Sequence, residues 1–506
     1  VDLSLAIANK RVESASADID IENIAIAGLA DMAVSGRLEF LMDDDGWLVA
    51  AEEFRASTPE GEWPESQLRF EASTDDAGNI VMIDARASYL DVAHARIAGP
   101  WLTAEQRDLI AQFDPSGIIR SLDLTVSDIG SEALRYDLSV AFQDLGIAAQ
   151  GNRPGVRGIS GNLRADHSGG LLELDSRFLT VTAARAFREP LLVDEASGTV
   201  IWRRTHGHTT LLSDSIVVSN AFFDSETSVE LSVAEDGSAP VIDLESSFSV
   251  EDIAEASALV PFMPKRPRIS EWFQSGFEAG RVTRGKARLN GPLDKFPFEK
   301  GDGVMQVTGT VRDAVVNYLP RWPSMDVLEA EVVMDNMSLR SHRNRLNSLG
   351  SQIVDARFDI SHFRIDPQMT LSSTSTGTME NLRQLSLQSP INEMLGGNLE
   401  RVTVSGDATT TLEMHVPIRD AKNFTFTTEV QTNDASVQIE GFPAPLTQLA
   451  GVVIIGRETV NSEDLGGMFL GQPVAIKLEP APEDMPDFRV IANATGAATI
   501  DAVEAE

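Results

Sequence analysis

The dominant pattern along the chain is an alternation of apolar and polar residues with a period of two. Tyr136, Leu138, Val140 and Phe142 are separated by Asp137, Ser139 and Ala141. Leu328, Ala330, Val332 and Met334 are separated by Glu329, Glu331 and Val333. Ile242, Leu244, Ser246, Phe248 and Val250 repeat the pattern, as do Phe424, Phe426, Thr428 and Val430. Successive side chains of a strand point to opposite faces, so this period predicts strands with one apolar and one polar face. Turn-forming clusters fall between them: Asp43-Asp44-Asp45-Gly46, Asp76-Ala77-Gly78-Asn79, Ser168-Gly169-Gly170 and Glu235-Asp236-Gly237. Connections this short predict an antiparallel meander, because parallel strands need long crossovers.

Helical signals are few. Thr103 to Phe113 opens on a capping pair, Thr103 with Gln106, carries Leu109, Ile110 and Phe113, and stops at Asp114-Pro115. Further helices are predicted at Ser249 to Val260, Ser270 to Phe277, Thr378 to Leu387 and Pro390 to Leu395. The chain therefore divides into β segments at 1–102, 116–249 and 281–506. They are interrupted by a helical insertion at 103–115, a helical and Pro-rich stretch at 250–280, and a helical patch near 378–397. A weak repeat of order small–Gly–x–apolar recurs at Ser35-Gly36, Ser160-Gly161, Ser197-Gly198 and Ala450-Gly451. It reads either as punctuation before strands or as a divergent hairpin repeat.

At about 12 residues per strand and turn, the β segments would supply roughly 35–40 strands. A sheet that long exposes its apolar face unless it splits, curls or is covered, and the helices are too few to cover it. Two architectures remain: a series of sandwiches with dry cores, or an elongated, curled antiparallel sheet whose apolar face lines a trough.

Composition sharpens this. The 506 residues carry 41 Lys+Arg against 77 Asp+Glu, a formal net charge of −36, which argues against a nucleic-acid partner. The absence of cysteine removes disulfides, thiolate metal sites and Cys nucleophiles. Apolar residues make up 42%, yet no apolar run is long enough for a transmembrane helix. The start at Val1 has neither a signal peptide nor an initiator Met, which reads as a piece of a longer protein whose anchor lies upstream.

Catalytic and metal motifs do not assemble. His206-Gly207-His208 lacks a third ligand and sits beside Arg203-Arg204. Ser160 lacks the final glycine of a nucleophile elbow, and Gly301-Asp302-Gly303 has Gln306 where a dinucleotide fingerprint needs glycine. Asp43-Asp44-Asp45-Gly46 has Phe54 where a calcium loop needs Glu. The basic run Lys265-Arg266-Pro267-Arg268 reads as a solvated loop or a contact for anionic lipid head groups. The expectation is a non-enzyme without cofactor or metal.

Five motifs follow one another in order: Gly155 to Asp166, Ser197 to Trp202, Pro267 to Phe273, Leu289 to Phe298, and Tyr318 to Pro323. Together they resemble the YhdP branch of the AsmA superfamily, firmly over about 190 residues and by general pattern elsewhere. The resemblance implies a large protein held by one helix in the inner membrane of Gram-negative bacteria. It implies a long β groove reaching through the periplasm and a part in moving phospholipid toward the outer membrane. The partners it implies are phospholipid acyl chains, the inner membrane through an anchor outside this sequence, and outer-membrane components.

On that reading the alternating apolar faces line the groove: Leu122, Leu124 and Val126; Tyr136, Leu138, Val140 and Phe142; Val200 and Trp202; Val229, Leu231 and Val233; Leu328, Val332 and Met334; Phe424 and Phe426. The competing reading of each is an ordinary core position. Two rival functions remain. One is a scaffold for outer-membrane proteins, as proposed for the related TamB branch, in which sheet edges pair with client strands. The other is a secreted array of carbohydrate-binding sandwiches, which 3 Tyr and 6 Trp hardly equip with aromatic platforms.

Overall fold

The computed structural model describes residues 2–496, with the exceptions of 9–10, 27–28, 59–60, 95–102, 132–133, 152, 185–186, 188, 258–274, 319–320, 395–396, 398, 458 and 482–489. Trp101, Trp272, the 261–267 Pro-rich stretch, the 265–268 basic run and most of the helix expected at 270–277 lie outside the described residues.

Among the described residues, 28 strands belong to one open antiparallel sheet, and the helices are short. Most paired strands are neighbours in sequence, as the short turns require; Ile80–Ala87 pairs with Ser116–Ser127, Gln368–Thr378 with Asp407–Pro417, and Val402–Ser405 with Thr425–Ile439, each skipping one strand. The strands are fewer than the turn spacing predicts because many are long, up to 16 residues in Arg11–Ile26 and Phe277–Pro292. Two compact units divide the chain, with the boundary falling inside the strand Val241–Val250.

The strands are not straight. Their register slips inside the strand, for example between Ser35 and Arg37, between Gly198 and Ile201, and between Ala450 and Val452. These are β-bulges, which bend a strand and increase its twist. The weak sequence repeat marks them: Gly36, Gly161, Gly198 and Gly451 all sit at a register slip. The extra residue opens the ladder, and a neighbouring hydroxyl fills the gap. Ser176 Oγ accepts from Ser160 N at 2.9 Å and donates to Ser160 O at 3.2 Å. Ser341 Oγ donates to Glu331 O at 2.8 Å, and Thr432 Oγ1 to Asp407 O at 2.9 Å. A run of bulges on successive strands curls the sheet of each unit along that row.

Among the described residues no dry core forms between layers. Strands make extensive contact only with their ladder neighbours, which rules against closed sandwiches among the described residues. Buried apolar positions are mostly alanines, such as Ala72 at 1% and Ala435 at 1% exposure, beside buried Ser66, Ser176 and Ser213. Apart from Phe298, at 0% exposure, small residues occupy the tightest places, and most large apolar side chains are half-buried on an open face. The second unit has two small clusters. One joins Ala314, Val327 and Ala330; the other joins Ala435, Leu449 and Ile476, with Met379 packed against it.

Helices form at Ala104–Phe113 and Met379–Leu387, where the sequence predicts them. Thr378 caps the second through a reciprocal pair with Asn381. Ile391–Met394 adds one turn. The helix expected over 249–260 differs. Ser249 and Val250 complete a strand, and a single turn, Ile253–Ala256, begins after Asp252, whose carboxylate accepts from Ala254 N and Glu255 N. Alternation up to Val250 outweighs helix propensity there.

Candidate functional site

Residues directly opposite each other on paired antiparallel strands share a face. Following those pairs through the first unit gives an unbroken row: Leu5, Ala15, Phe40, Val49, Phe70, Ala85, Leu124, Leu138, Ala165, Gly170, Trp202, Leu211 and Leu231. No charged residue interrupts it. A parallel row runs from Leu38 through Ala51, Leu68, Ala87, Leu122, Val140, Leu163 and Leu172 to Val200. Val126 faces Tyr136 and Ile83, Val229 faces Ser213, and Val233 faces Thr209. Of the residues expected to line a groove in this unit, Phe142 is buried and the others are half-buried.

The opposite face of the same strands carries Glu39, Arg69, Arg86, Asp123, Ser139 and Arg164. Arg86 pairs with Asp123 at 3.4 Å, and both side chains are largely exposed, so the pair adds little stability. Ala50, Leu171, Ile201 and Leu212 are apolar exceptions in that row, and Leu41 and Leu48 lie on the same face.

Sequence alternation missed positions where a row crosses a glycine. The indole of Trp202 lies over Gly170, where an added Cβ would sit 2.2 Å from the ring. Phe40, Val49, Phe70, Leu163 and Leu172 also belong to the rows; all but Val49, which stands between Leu48 and Ala50, have a polar neighbour as the sequence signal.

In the second unit one row runs through Ala287, Val307, Met334, Leu339, Ile360, Met369 and Val416. A second runs through Gly309, Val332, Ser341, Phe358, Leu371, Met414 and Phe426. Met334, Val332 and Phe426 lie in these rows, and Phe424 stacks on Phe426 at 5.9 Å. Leu328 does not join them. It is 45% exposed, while its neighbour Val327 is buried against Ala314. Pairing with Ser338–Ser348 slips between Val327 and Glu329, and Val327 rather than Leu328 takes the inner place.

Two open depressions lie on these rows: about 580 Å³ around Leu138, Gly170 and Trp202, and about 500 Å³ around Phe358, Leu371, Met414 and Phe426. Neither encloses a catalytic constellation, and no metal-ligand cluster exists among the described residues. His206 and Gly207, with φ of +49° and +78°, form the two-residue turn between Leu191–Thr205 and His208–Asn220.

The titration shifts are structural in origin. Hydrogen bonds from Asn79 and from Ser168 hold the Asp75 and Asp166 carboxyls below the usual carboxylate range. Ser238 does the same for Asp236. Arg383 and Gln384 pull Glu380 down to about 2. Burial pushes the Tyr318 phenol up to about 12.

The sequence model of a family described as YhdP protein matches residues 1–506. A curated relative from Escherichia coli (strain K12), named intermembrane phospholipid transporter YhdP, is 20% identical over 464 residues. That alignment covers 90% of this chain and 36% of the relative, so the chain spans about a third of that protein's length. No solved structure matches the chain.

Proposed function

This chain belongs to the YhdP family, and from that membership we propose that its apolar sheet face carries the acyl chains of phospholipids in transit between two membranes. The unbroken apolar row from Leu5 to Leu231 carries the reading. Each buried CH₂ is worth about 0.8 kcal/mol, so an acyl chain crosses water only along a lining without polar gaps. The half-exposure of that lining suits the role, since a closed core has no room for a ligand. Movement needs only many similar weak contacts, so no covalent step enters. The periplasm is the compartment this reading implies, and attachment to the inner membrane and contact with outer-membrane components belong to the same proposal.

Native mass spectrometry of the purified chain tests it. Bound phospholipid is expected on the unmodified protein and on Ser139→Glu, which adds charge to the polar face. It is expected to fall about tenfold on the double variant Leu138→Glu, Val332→Glu, which puts a carboxylate into the lining of each unit. Equal lipid on the two variants would sink the idea.

A further inference from the structure

The strands of the second unit alternate in direction, so its connections fall on two rims. Those at 336–337, 361–367, 418–424 and 457–459 share one rim, and those at 317–324, 349–350, 379–406 and 440–445 share the other. The described cations of the second rim are all paired: Arg321 with Glu393, Arg383 with Glu380 at 2.8 Å, and Arg401 with Glu440 at 3.1 Å. The first rim differs. Arg364 pairs with Glu299, but Arg419, Lys422 and Arg457 stand in no ion pair among the described residues. The described carboxylates of the same connections are occupied by amide donors, Asp366 by Gln368 Nε2 at 2.8 Å and Asp420 by Asn423 Nδ2 at 2.6 Å. In a chain with 41 Lys+Arg against 77 Asp+Glu, three exposed cations on adjacent connections without a carboxylate call for a reason.

The apolar rows end at these cations. In the row through Phe358, Leu371 and Met414, Met414 stands opposite Phe426. The ladder between Thr425–Ile439 and Leu446–Gly456 ends on the pair Thr427–Gly456, so the step beside Phe426 falls to Arg457. The neighbouring row reaches Val416, and in the same register Phe424 takes the step beside it. Arg457 turns onto Phe424. Its Nη1 donates to Phe424 O at 3.2 Å, and its guanidinium lies 5.3 Å from the Phe424 ring centroid. Phe424 in turn stacks on Phe426 at 5.9 Å. A cation over an aromatic face is held by the ring and keeps its charge. A guanidinium has five N–H donors, and a single bond to Phe424 O leaves the others to an anion.

We propose that Arg457 and Lys422 form a phosphate site at the end of these rows, taking the head-group phosphate of a phospholipid whose acyl chains lie on Met414, Phe424 and Phe426. This rests on the reading of the apolar face as an acyl-chain path. A phospholipid passes from apolar tail to phosphate over a short distance, and the rows pass from Phe424 to Arg457 in the same way. The planar guanidinium matches two phosphate oxygens at once, and Lys422, exposed two residues before Phe424, adds a point charge. Arg419 donates to Arg364 O, which ties its connection to the next one along the rim. The paired cations of the other rim offer no such site.

The test uses the full chain and photoreactive phosphatidylglycerol in phosphatidylcholine vesicles, with a diazirine either on the head group or at the acyl terminus. Adducts are mapped by peptide mass spectrometry. On the unmodified chain, head-group adducts are expected in 418–424 and 457–459, and acyl adducts on Leu371, Met414 and Phe426. The double variant Lys422→Gln, Arg457→Gln is expected to lower the head-group adducts there about fivefold and to leave the acyl adducts unchanged. Arg401→Gln, which removes a paired cation from the other rim, is expected to change neither. Inorganic phosphate at about 10 mM, with ionic strength held constant, is expected to leave both kinds of adduct in place. Equal head-group adducts on the double variant and the unmodified chain, beside intact acyl adducts, would overturn the phosphate site alone. Loss of the head-group adducts to inorganic phosphate would assign the pair to the free anion and overturn the lipid. Acyl adducts absent from that row would overturn the underlying reading, and the site with it.

Discussion

An alanine Cβ at Gly161 would lie 2.1 Å from the Glu173 carbonyl oxygen, and one at Gly451 would lie 2.6 Å from Leu465 Cα. In both cases the obstacle is the backbone of the neighbouring strand, which cannot rotate away. Gly161→Ala is expected to destabilise the ladder by about 2–3 kcal/mol. Hydrogen exchange in Gly155–Asp166 and Gly169–Thr182 would report it. Gly78→Ala, in a turn with open space around it, costs about 1 kcal/mol from its φ of +82° alone. The turn carboxylates give a pH prediction. Asp75, Asp166 and Asp236 have folded-state pKa values lowered by their hydrogen bonds. Their stabilisation is complete above the unfolded carboxylate value and is lost as pH falls through the lowered folded value. The turns at 75–79, 166–169 and 236–238 should lose exchange protection together below about pH 4. Substituting Asn at all three positions, which keeps an acceptor but no titration, should remove that acid step.

At the scale of elements, strands and helices differ in how much of them could be read in advance. Thr378 and Asn381 form their capping pair within four residues of sequence, so the helix Met379–Leu387 was legible. Thr378→Ala is expected to cost about 1 kcal/mol. The loss should appear as faster exchange in that helix, and as loosening of the cluster of Ala435, Leu449 and Ile476 that Met379 packs against. Alternation located the strands but not their inner face past a bulge. Leu328 has the same parity as Val332, yet Val327 is the buried one, because pairing with Ser338–Ser348 slips between Val327 and Glu329. A single strand's sequence does not record where its pairing with the next strand slips. The small–Gly–x–apolar repeat did record four of the bulges, and its meaning emerged only from the pairing.

At the scale of the molecule, each strand packs extensively only on its ladder neighbours, so stability is close to a sum of nearest-neighbour terms. Unfolding in urea is expected to proceed in several phases rather than one two-state transition. The edge strand Asp2–Ala8, with Leu3, Leu5 and Ile7 more than half exposed, should exchange before the strands at 155–182. A single sharp transition with uniform protection would contradict this nearest-neighbour architecture.

The sequence by itself determined the antiparallel β class, the scarcity of helices and the segregation of apolar from charged faces. All three follow from local periodicity, capping and turn chemistry, which act within a few residues. It also carried enough of a motif series to resemble the family. It left open whether the apolar faces close into sandwiches or stay open, since either satisfies the same alternation. Only the tertiary structure decided that, through cross-strand register. Bulges set on successive strands join isolated apolar positions into rows, and the absence of face-to-face strand contacts leaves those rows uncovered among the described residues. Register depends on pairs of strands, and no single segment of sequence contains it.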